Sequence, residues 1–135
     1  MSANRATPDS LRAILAKARE KLAAAERELA GGFDGEASSR AYYAVFHAIT
    51  AVLATSGLAF SSHAQTIGAF NRDFVKTGLF PSDTTRILQR LFEDRQVADY
   101  EWIVTVDHQT AREDVADTRT LVEACEQYVL KHGIK

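Results

Sequence analysis

Residues 38–53 read SSRAYYAVFHAITAVL, a helical pattern that is apolar on nearly every side. A helix that is hydrophobic all round is normally buried, so this stretch predicts the central helix of a helical fold. It also carries Arg40, Tyr43 and His47, spaced three and four residues apart and therefore stacked along one face. These side chains are candidate ligand-binding residues. The alternative is that they are polar groups satisfied within the bundle.

Helix start and stop signals divide the chain into five predicted helices. They are Pro8–Ala30 with Thr7 as cap, a helix capped by Asp34 and ending at Gly57, one capped by Ser62 and reaching about Lys76, Ser82–Ala98, and one capped by Asp107 and reaching His132. No strand pattern occurs, and the connections are short. The sequence therefore predicts an all-α fold, an antiparallel up-and-down bundle in a single domain over 1–135, with residues 1–7 expected to be disordered.

Composition excludes several classes of protein. Hydrophobic residues make up 46% of the chain and charged residues 25%, which is ordinary for a globular domain, and the net charge of -2 argues against a generally basic surface. Cys125 is the only cysteine, so no internal disulfide forms and a reducing compartment is expected. Without an apolar leader or a run of spanning length, the protein is expected to be cytoplasmic and to make no membrane contact.

Arg95 occupies an unusual position in the fourth predicted helix. Leu88, Leu91 and Phe92 form its apolar stripe, and Arg95 takes the next core-facing place. A side chain with five donors at such a position needs an acceptor, and Asp99 lies four residues on. Two interpretations stay open: an ion pair that finishes the helix, or a charge that is presented to a pocket.

Other chemistry finds little support in the residue patterns. The chain has no Glu-x-x-His pairs, no H-E-x-x-H motif and no cysteine cluster, so we expect neither a metal site nor a cofactor. Cys125 lies in the apolar seam of the last helix and is expected to be a small core residue. His63, in the first turn of the third helix, is expected to face solvent.

Four segments together resemble the HEPN superfamily (higher eukaryotes and prokaryotes nucleotide-binding), in particular its small stand-alone prokaryotic branch. They are SRAYYAVFHA at 39–48, SH at 62–63, FVKTG at 74–78 and RQVADY at 95–100. The resemblance covers about 30–130 and implies a bundle of four or five helices, usually a homodimer with a cleft between protomers. Many members are encoded beside a minimal nucleotidyltransferase and form toxin–antitoxin pairs with it, and many are metal-independent endoribonucleases.

The resemblance also implies a role for Arg95. The ribonucleases of the family carry an arginine followed four to six residues later by a histidine; the arginine stabilises phosphate charge and the histidine performs acid–base work. This sequence keeps Arg95 but has Tyr100 at the histidine position, and Trp102 at the position of a tyrosine that a toxin subgroup uses as a modification site. Arg40 and His47 match the same spacing but lie in a different segment. His47 could still reach the cleft of Arg95.

These observations predict a HEPN-like dimeric binding or interaction module, a component of a toxin–antitoxin or defence-type pair with a minimal nucleotidyltransferase. It would bind a nucleotide or an RNA phosphate near Arg95, with Asp99 among the ligand-binding residues. The alternative is a metal-independent endoribonuclease toxin in which Arg95 acts with Tyr100 or His47. A third is a purely structural helical dimer. Because Tyr100 replaces the histidine, the prediction leans away from an enzyme.

Overall fold

The computed structural model describes residues 5–134, which contain five α-helices and no β-strand. The helices are α1 Pro8–Ala30, α2 Asp34–Ala54, α3 His63–Phe70, α4 Thr84–Tyr100 and α5 His108–His132, and a π-helical turn, Asn71–Val75, continues α3. The prediction of an all-α helical bundle is confirmed. Of the residues expected to be disordered, 1–4 lie outside the described part of the chain, and the Ala6 backbone nitrogen donates to the Ala54 carbonyl at 3.3 Å.

Helix α2 forms the centre of the bundle, as its all-round hydrophobicity predicts. It packs against α1, α3, α4 and α5. Several of its buried positions are alanines, whose small side chains let the neighbouring helices approach closely. These alanines are Ala37, Ala41, Ala44, Ala48 and Ala51, all without exposed surface. No helix in the described residues is both long and apolar enough to cross a membrane.

Polar contacts across the core fix the relative direction of α2 and α5. The Ser38 hydroxyl donates to Asp114 at 2.9 Å, and the Thr118 hydroxyl donates to the Ala41 carbonyl at 3.3 Å. Residue numbers therefore rise together along the two helices, so they lie side by side and parallel. The short turn 31–33 reverses the chain between α1 and α2.

Two predicted boundaries of α2 need correction. Asp34 does not cap α2; it is the first helical residue, and its carboxylate pairs with His108 Nδ1 at 2.7 Å, at the start of α5. The helix ends at Ala54, and the turn after it closes at Gly57, where φ is +76°. Glycine adopts this left-handed conformation without the steric cost of a Cβ, so Gly57 is the stop signal although it lies beyond the helix.

The end of α4 was also predicted wrongly. The pattern favours an end near Ala98, but α4 continues to Tyr100, and the Glu101 backbone nitrogen still donates to the Val97 carbonyl at 3.1 Å. The ion pair between Arg95 and Asp99 spans this last turn. Tyr100 is consequently held on a helix, one residue beyond Asp99.

Candidate functional site

Arg95 is the centre of the candidate site. It follows the buried Leu88 and Leu91 along α4 and retains 7% of its surface. Its guanidinium carbon lies 4.9 Å from the ring centre of Tyr42, 5.5 Å from that of Tyr43 and 5.4 Å from that of Phe92. Aromatic faces attract a cation at such distances, so the rings hold the charge in a largely apolar setting.

The hydrogen-bonding capacity of Arg95 is only partly used. Its nearest carboxylate oxygen is Asp99 Oδ2, at 3.8 Å from Nη1, which is beyond hydrogen-bonding distance. The Nε atom is buried and has no hydrogen-bond partner among residues 5–134. A buried donor without a partner costs free energy, so an anion that reaches this guanidinium would relieve that cost.

A histidine from another helix lies beside the same aromatic cluster. The Tyr42 hydroxyl and His63 Nδ1 are 2.8 Å apart and form a hydrogen bond between α2 and the start of α3. The imidazole also stacks on Phe46, with ring centres 4.1 Å apart. His63 is thus fixed by two contacts, and its Nε2 atom is not used by the bond to Tyr42. The expectation that His63 merely faces solvent is wrong.

Burial and the charge of Arg95 determine the protonation of this pair. Burial, followed by the nearby Arg95 charge, holds the pKa of His63 below its ordinary value, so the ring is neutral at neutral pH. Burial raises the pKa of the Tyr42 hydroxyl, against the opposing effect of Arg95. The site therefore combines a fixed positive charge with a neutral imidazole that can accept a proton.

Two more of the residues predicted from the sequence lie beside Arg95. Tyr43 forms one wall of the aromatic cluster, as its ring distance shows. Tyr100 lies at the outer edge, with its ring centre 6.0 Å from the guanidinium carbon, and is largely exposed. Asp99 approaches from the same end of α4 and completes the set that the structure brings together.

Arg40 and His47 lie at the edge of this site, and neither forms a hydrogen bond or an ion pair with Arg95 within residues 5–134. Arg40 donates from Nε to Glu28 Oε1 of α1 at 3.0 Å, and it lines a shallow pocket of about 260 Å³ together with Asp99. His47 packs beside Phe46, with ring centres 6.1 Å apart. Burial, then the positive charges of two lysines of α1 and that of His63, lowers the pKa of His47.

The HEPN domain family matches residues 11–128, which include every element of this site. The chain belongs to the HEPN family. It is 33% identical to the UPF0332 protein of Thermotoga maritima over 113 residues, 84% of this chain and 86% of the relative.

Two proteins of Methanocaldococcus jannaschii are also similar to this HEPN protein. The protein named "Putative toxin MJ0605" is 33% identical over 110 residues, 82% of this chain and 79% of the relative. A second protein with a toxin name, MJ0142, is 23% identical over 124 residues, which cover 92% of this chain and 84% of the relative. The similarity extends over most of each protein.

A buried polar network of this HEPN domain includes Asp94, the residue before Arg95. The Asp114 carboxylate has no exposed surface and accepts from Arg90 Nε at 3.0 Å and from the Ser38 hydroxyl at 2.9 Å. It thereby connects α2, α4 and α5. Asp94, the residue before Arg95, presents a buried oxygen that has no partner in the described chain. Burial and the neighbouring Asp94 raise the pKa of Asp114 to about 7.

Sequence reasoning missed three side chains of the HEPN site: Tyr42, His63 and Phe92. Tyr42 and Phe92 were assigned to the core, which is correct for their rings. The missed point is that Tyr42 also turns its hydroxyl toward a polar neighbour. The one available signal was the spacing of aromatic side chains at 42, 43 and 46, which predicts an aromatic wall on α2.

Proposed function

We propose that this HEPN protein is a toxin-type module that binds a nucleotide or an RNA phosphate at Arg95. The observation that carries the proposal is the buried guanidinium with unused donors. Its planar group matches a phosphate with two parallel hydrogen bonds, which an ammonium group cannot reproduce. Two relatives bear toxin names, which supports the toxin assignment.

Asp99 is the side chain that an incoming phosphate would meet first. Its carboxylate is 3.8 Å from Arg95, so the ion pair is loose. A phosphate bound by Arg95 would be repelled by Asp99 unless that side chain rotated away. We therefore assign Asp99 as a residue that limits access of anions to the arginine in the free protein.

We propose that the protein acts as a homodimer and pairs with a nucleotidyltransferase-type protein. Support comes from the 100–104 segment, which follows Arg95 and presents apolar side chains to solvent; Trp102 is 93% exposed and Ile103 96%. Contiguous exposed apolar side chains are typical of protein interfaces. Sedimentation equilibrium of the wild type and of a Trp102→Ser/Ile103→Ser variant tests the dimer. The variant dimer should be weaker and should dissociate at a higher protein concentration than the wild-type dimer.

Anisotropy titrations of a fluorescently labelled RNA oligonucleotide test the phosphate site. Arg95→Ala should weaken binding by about 10- to 100-fold, the range that corresponds to a charge-assisted hydrogen bond. Arg95→Lys should restore little of it, because lysine lacks the planar donor pair. The control is Arg112→Ala, which removes the same charge from an exposed position on α5. Equal losses for Arg95→Ala and Arg112→Ala would contradict a specific site.

The second candidate is the metal-independent endoribonuclease. The observation in its favour is the neutral His63 beside Arg95, in addition to Tyr100 and His47, which the sequence suggested. With Nδ1 protonated and donating to the Tyr42 oxygen, His63 Nε2 would take the proton of a ribose 2′-hydroxyl, and the 2′-oxygen would attack phosphorus. The bond from phosphorus to the 5′-oxygen would break, the 5′-oxygen would take a proton from water, and the imidazolium would return its proton to the resulting hydroxide. The products would be a 2′,3′-cyclic phosphate and a 5′-hydroxyl, and Arg95 would stabilise the phosphate charge.

Cleavage assays with mixed RNA in excess chelator separate the two candidates. If RNA is cut, and Arg95→Ala abolishes cutting, the non-catalytic interpretation is wrong. Comparing His63→Gln, His47→Gln and Tyr100→Phe then identifies the proton-transfer residue, and we expect only His63→Gln to remove activity. If RNA binds through Arg95 and stays intact, the module is a binding protein.

A further inference from the structure

A groove between α3 and α4 lies next to the Arg95 site. It has a volume of about 390 Å³, within the range of small-molecule sites. Its walls are the rings of His63 and Phe92 together with Ile67, and its far end carries the amides of Asn71 and Gln89. Nothing in the mechanism of phosphate binding at Arg95 uses this groove.

Gly68 keeps the groove open. It lies inside α3, where glycine is destabilising by about 1 kcal/mol relative to alanine. Such a glycine usually serves close packing. Here a Cβ at Gly68 would meet no atom within 4 Å beyond its own helix backbone and chain neighbours, so packing does not require it. What the glycine preserves is the space above it, which is the groove.

The amides at the far end of the groove each form one side-chain hydrogen bond. Thr85 donates its hydroxyl to Asn71 Oδ1 at 2.9 Å, and Gln89 donates from Nε2 to Glu93 at 3.0 Å. These bonds leave the Asn71 amino group as a donor and Gln89 Oε1 as an acceptor. A nucleobase edge carries both donors and acceptors, and Asn and Gln side chains bind such edges in other complexes, so this lining suits a base. Asn71 also begins the π-helical turn, a feature frequent at functional sites.

The groove and the arginine share two walls. Phe92 lines the groove and has its ring centre 5.4 Å from the guanidinium carbon of Arg95. His63 lines the groove and bonds to Tyr42, whose ring lies 4.9 Å from the same carbon. A ligand in the groove would therefore contact His63 and Phe92, of which Phe92 also contacts the guanidinium of Arg95.

We propose that the groove binds the nucleobase of the nucleotide whose phosphate binds Arg95, an inference that rests on the proposed function. The two parts divide the ligand chemically: Arg95 recognises the anion, and the aromatic and amide walls recognise the base. Free mononucleotides and RNA share this chemistry. If an RNA oligonucleotide binds far more tightly than AMP, the ligand of this site is RNA. If the two bind with equal affinity, the ligand is the free nucleotide.

Filling the groove at Gly68 tests this inference. Gly68→Leu should project into the open groove, and Gly68→Ala should leave most of it free while making the same backbone change. Calorimetric titrations of both variants would use AMP, UMP and ribose 5-phosphate. Since stacking of a base contributes about 1–3 kcal/mol, Gly68→Leu should weaken the binding of AMP and UMP by about 5- to 150-fold. Ribose 5-phosphate should bind unchanged, and Gly68→Ala should match the wild type for all three.

Two further variants keep the test decisive. Gln89→Ala changes an exposed side chain, so the variant should fold like the wild type. It should weaken the binding of AMP but not that of ribose 5-phosphate. Arg95→Ala should weaken the binding of all three ligands.

Several results would overturn the inference. If the wild type binds ribose 5-phosphate as tightly as AMP, the base site is wrong and the phosphate site stands. If none of the three ligands binds to the wild type, the base site and the phosphate site are both refuted. If Gly68→Leu leaves AMP binding intact but weakens the homodimer, the groove is a protein contact instead.

Discussion

Asp114→Asn should change how the stability of this HEPN domain depends on pH. In the folded protein the Asp114 carboxyl is buried and accepts from Arg90 and Ser38. Burial and the nearby Asp94 raise its pKa from 3.8 to about 7. A buried carboxyl beside a second, partly buried one ionises at a high cost in free energy, so the pair keeps a proton that the unfolded chain releases. An asparagine removes that titration and can donate to the unpartnered Asp94 oxygen.

The sign and the size of the effect follow from linkage. Between pH 4 and pH 7 the folded state holds a proton that the unfolded state has lost, so the stability contributed by Asp114 is complete near pH 4 and disappears as the pH rises through 7. Integrating between pH 5 and pH 8 gives a loss of roughly 3 kcal/mol for the wild type. The asparagine variant has no such term. Its stability relative to the wild type should therefore rise by that amount over the same range.

Urea unfolding followed by circular dichroism at pH 5, 6, 7 and 8 measures this difference. The lowered pKa values of His47 and His63 make stability rise with pH up to about 6.5, but they act in both proteins and cancel in the comparison. Asp117→Asn is the control, because Asp117 also pairs with Arg90 and is partly exposed. A stability difference for Asp114→Asn that stays constant from pH 5 to pH 8 would refute the buried proton.

Three further measurements test the packing and the charges of the site. Gly68→Ala should stabilise the fold by about 1 kcal/mol in urea unfolding, because it adds helix propensity without a clash. Gly133→Ala should destabilise it by about 1–3 kcal/mol, since the new methyl group would approach core side-chain carbons to 2.7 Å and 2.9 Å. Arg95→Gln should raise the pKa of His63 in an NMR titration and should not raise that of His47, because Arg95 depresses only the former and the charge of His63 lowers the pKa of His47. Parallel shifts of both imidazoles would contradict the proximity of Arg95 to His63.

The helices themselves could be predicted from the sequence because their signals are local. Thr7 accepts from the Ser10 backbone, Ser62 from that of Gln65, and Asp107 from that of Thr110, as the caps require. Each cap and each apolar seam depends on residues within one or two turns. The end of α4 was missed because no apolar pattern marks its last turn, which is continued by backbone hydrogen bonds such as the one from the Glu101 nitrogen to the Val97 carbonyl.

The site could be predicted only in part, because it joins three helices. The position of Arg95 on an apolar stripe is a local signal, and it indicated the buried arginine correctly. The place of His63 depends on how α3 packs against α2, which no local pattern specifies. Its bond to Tyr42 connects residues 21 positions apart. The burial of Asp114 is likewise not marked by any local pattern, because its neighbours lie on α2 and α4.

Arg40, Tyr43 and His47 of α2 contact different helices because the face that they share is wide enough to border two neighbouring helices. At about 100° per residue, Arg40 and His47 differ by only about 20° around the axis, whereas Tyr43 lies about 40–60° away from both. Helices α1 and α4 pack on either side of this sector. Arg40 consequently reaches Glu28 of α1, and His47 lies within the field of the α1 lysines. Tyr43 turns toward Arg95 of α4. Of these three side chains, Tyr43 is the one that packs against Arg95 in the described residues, so substituting Tyr43 should affect ligand binding at Arg95 more than substituting His47.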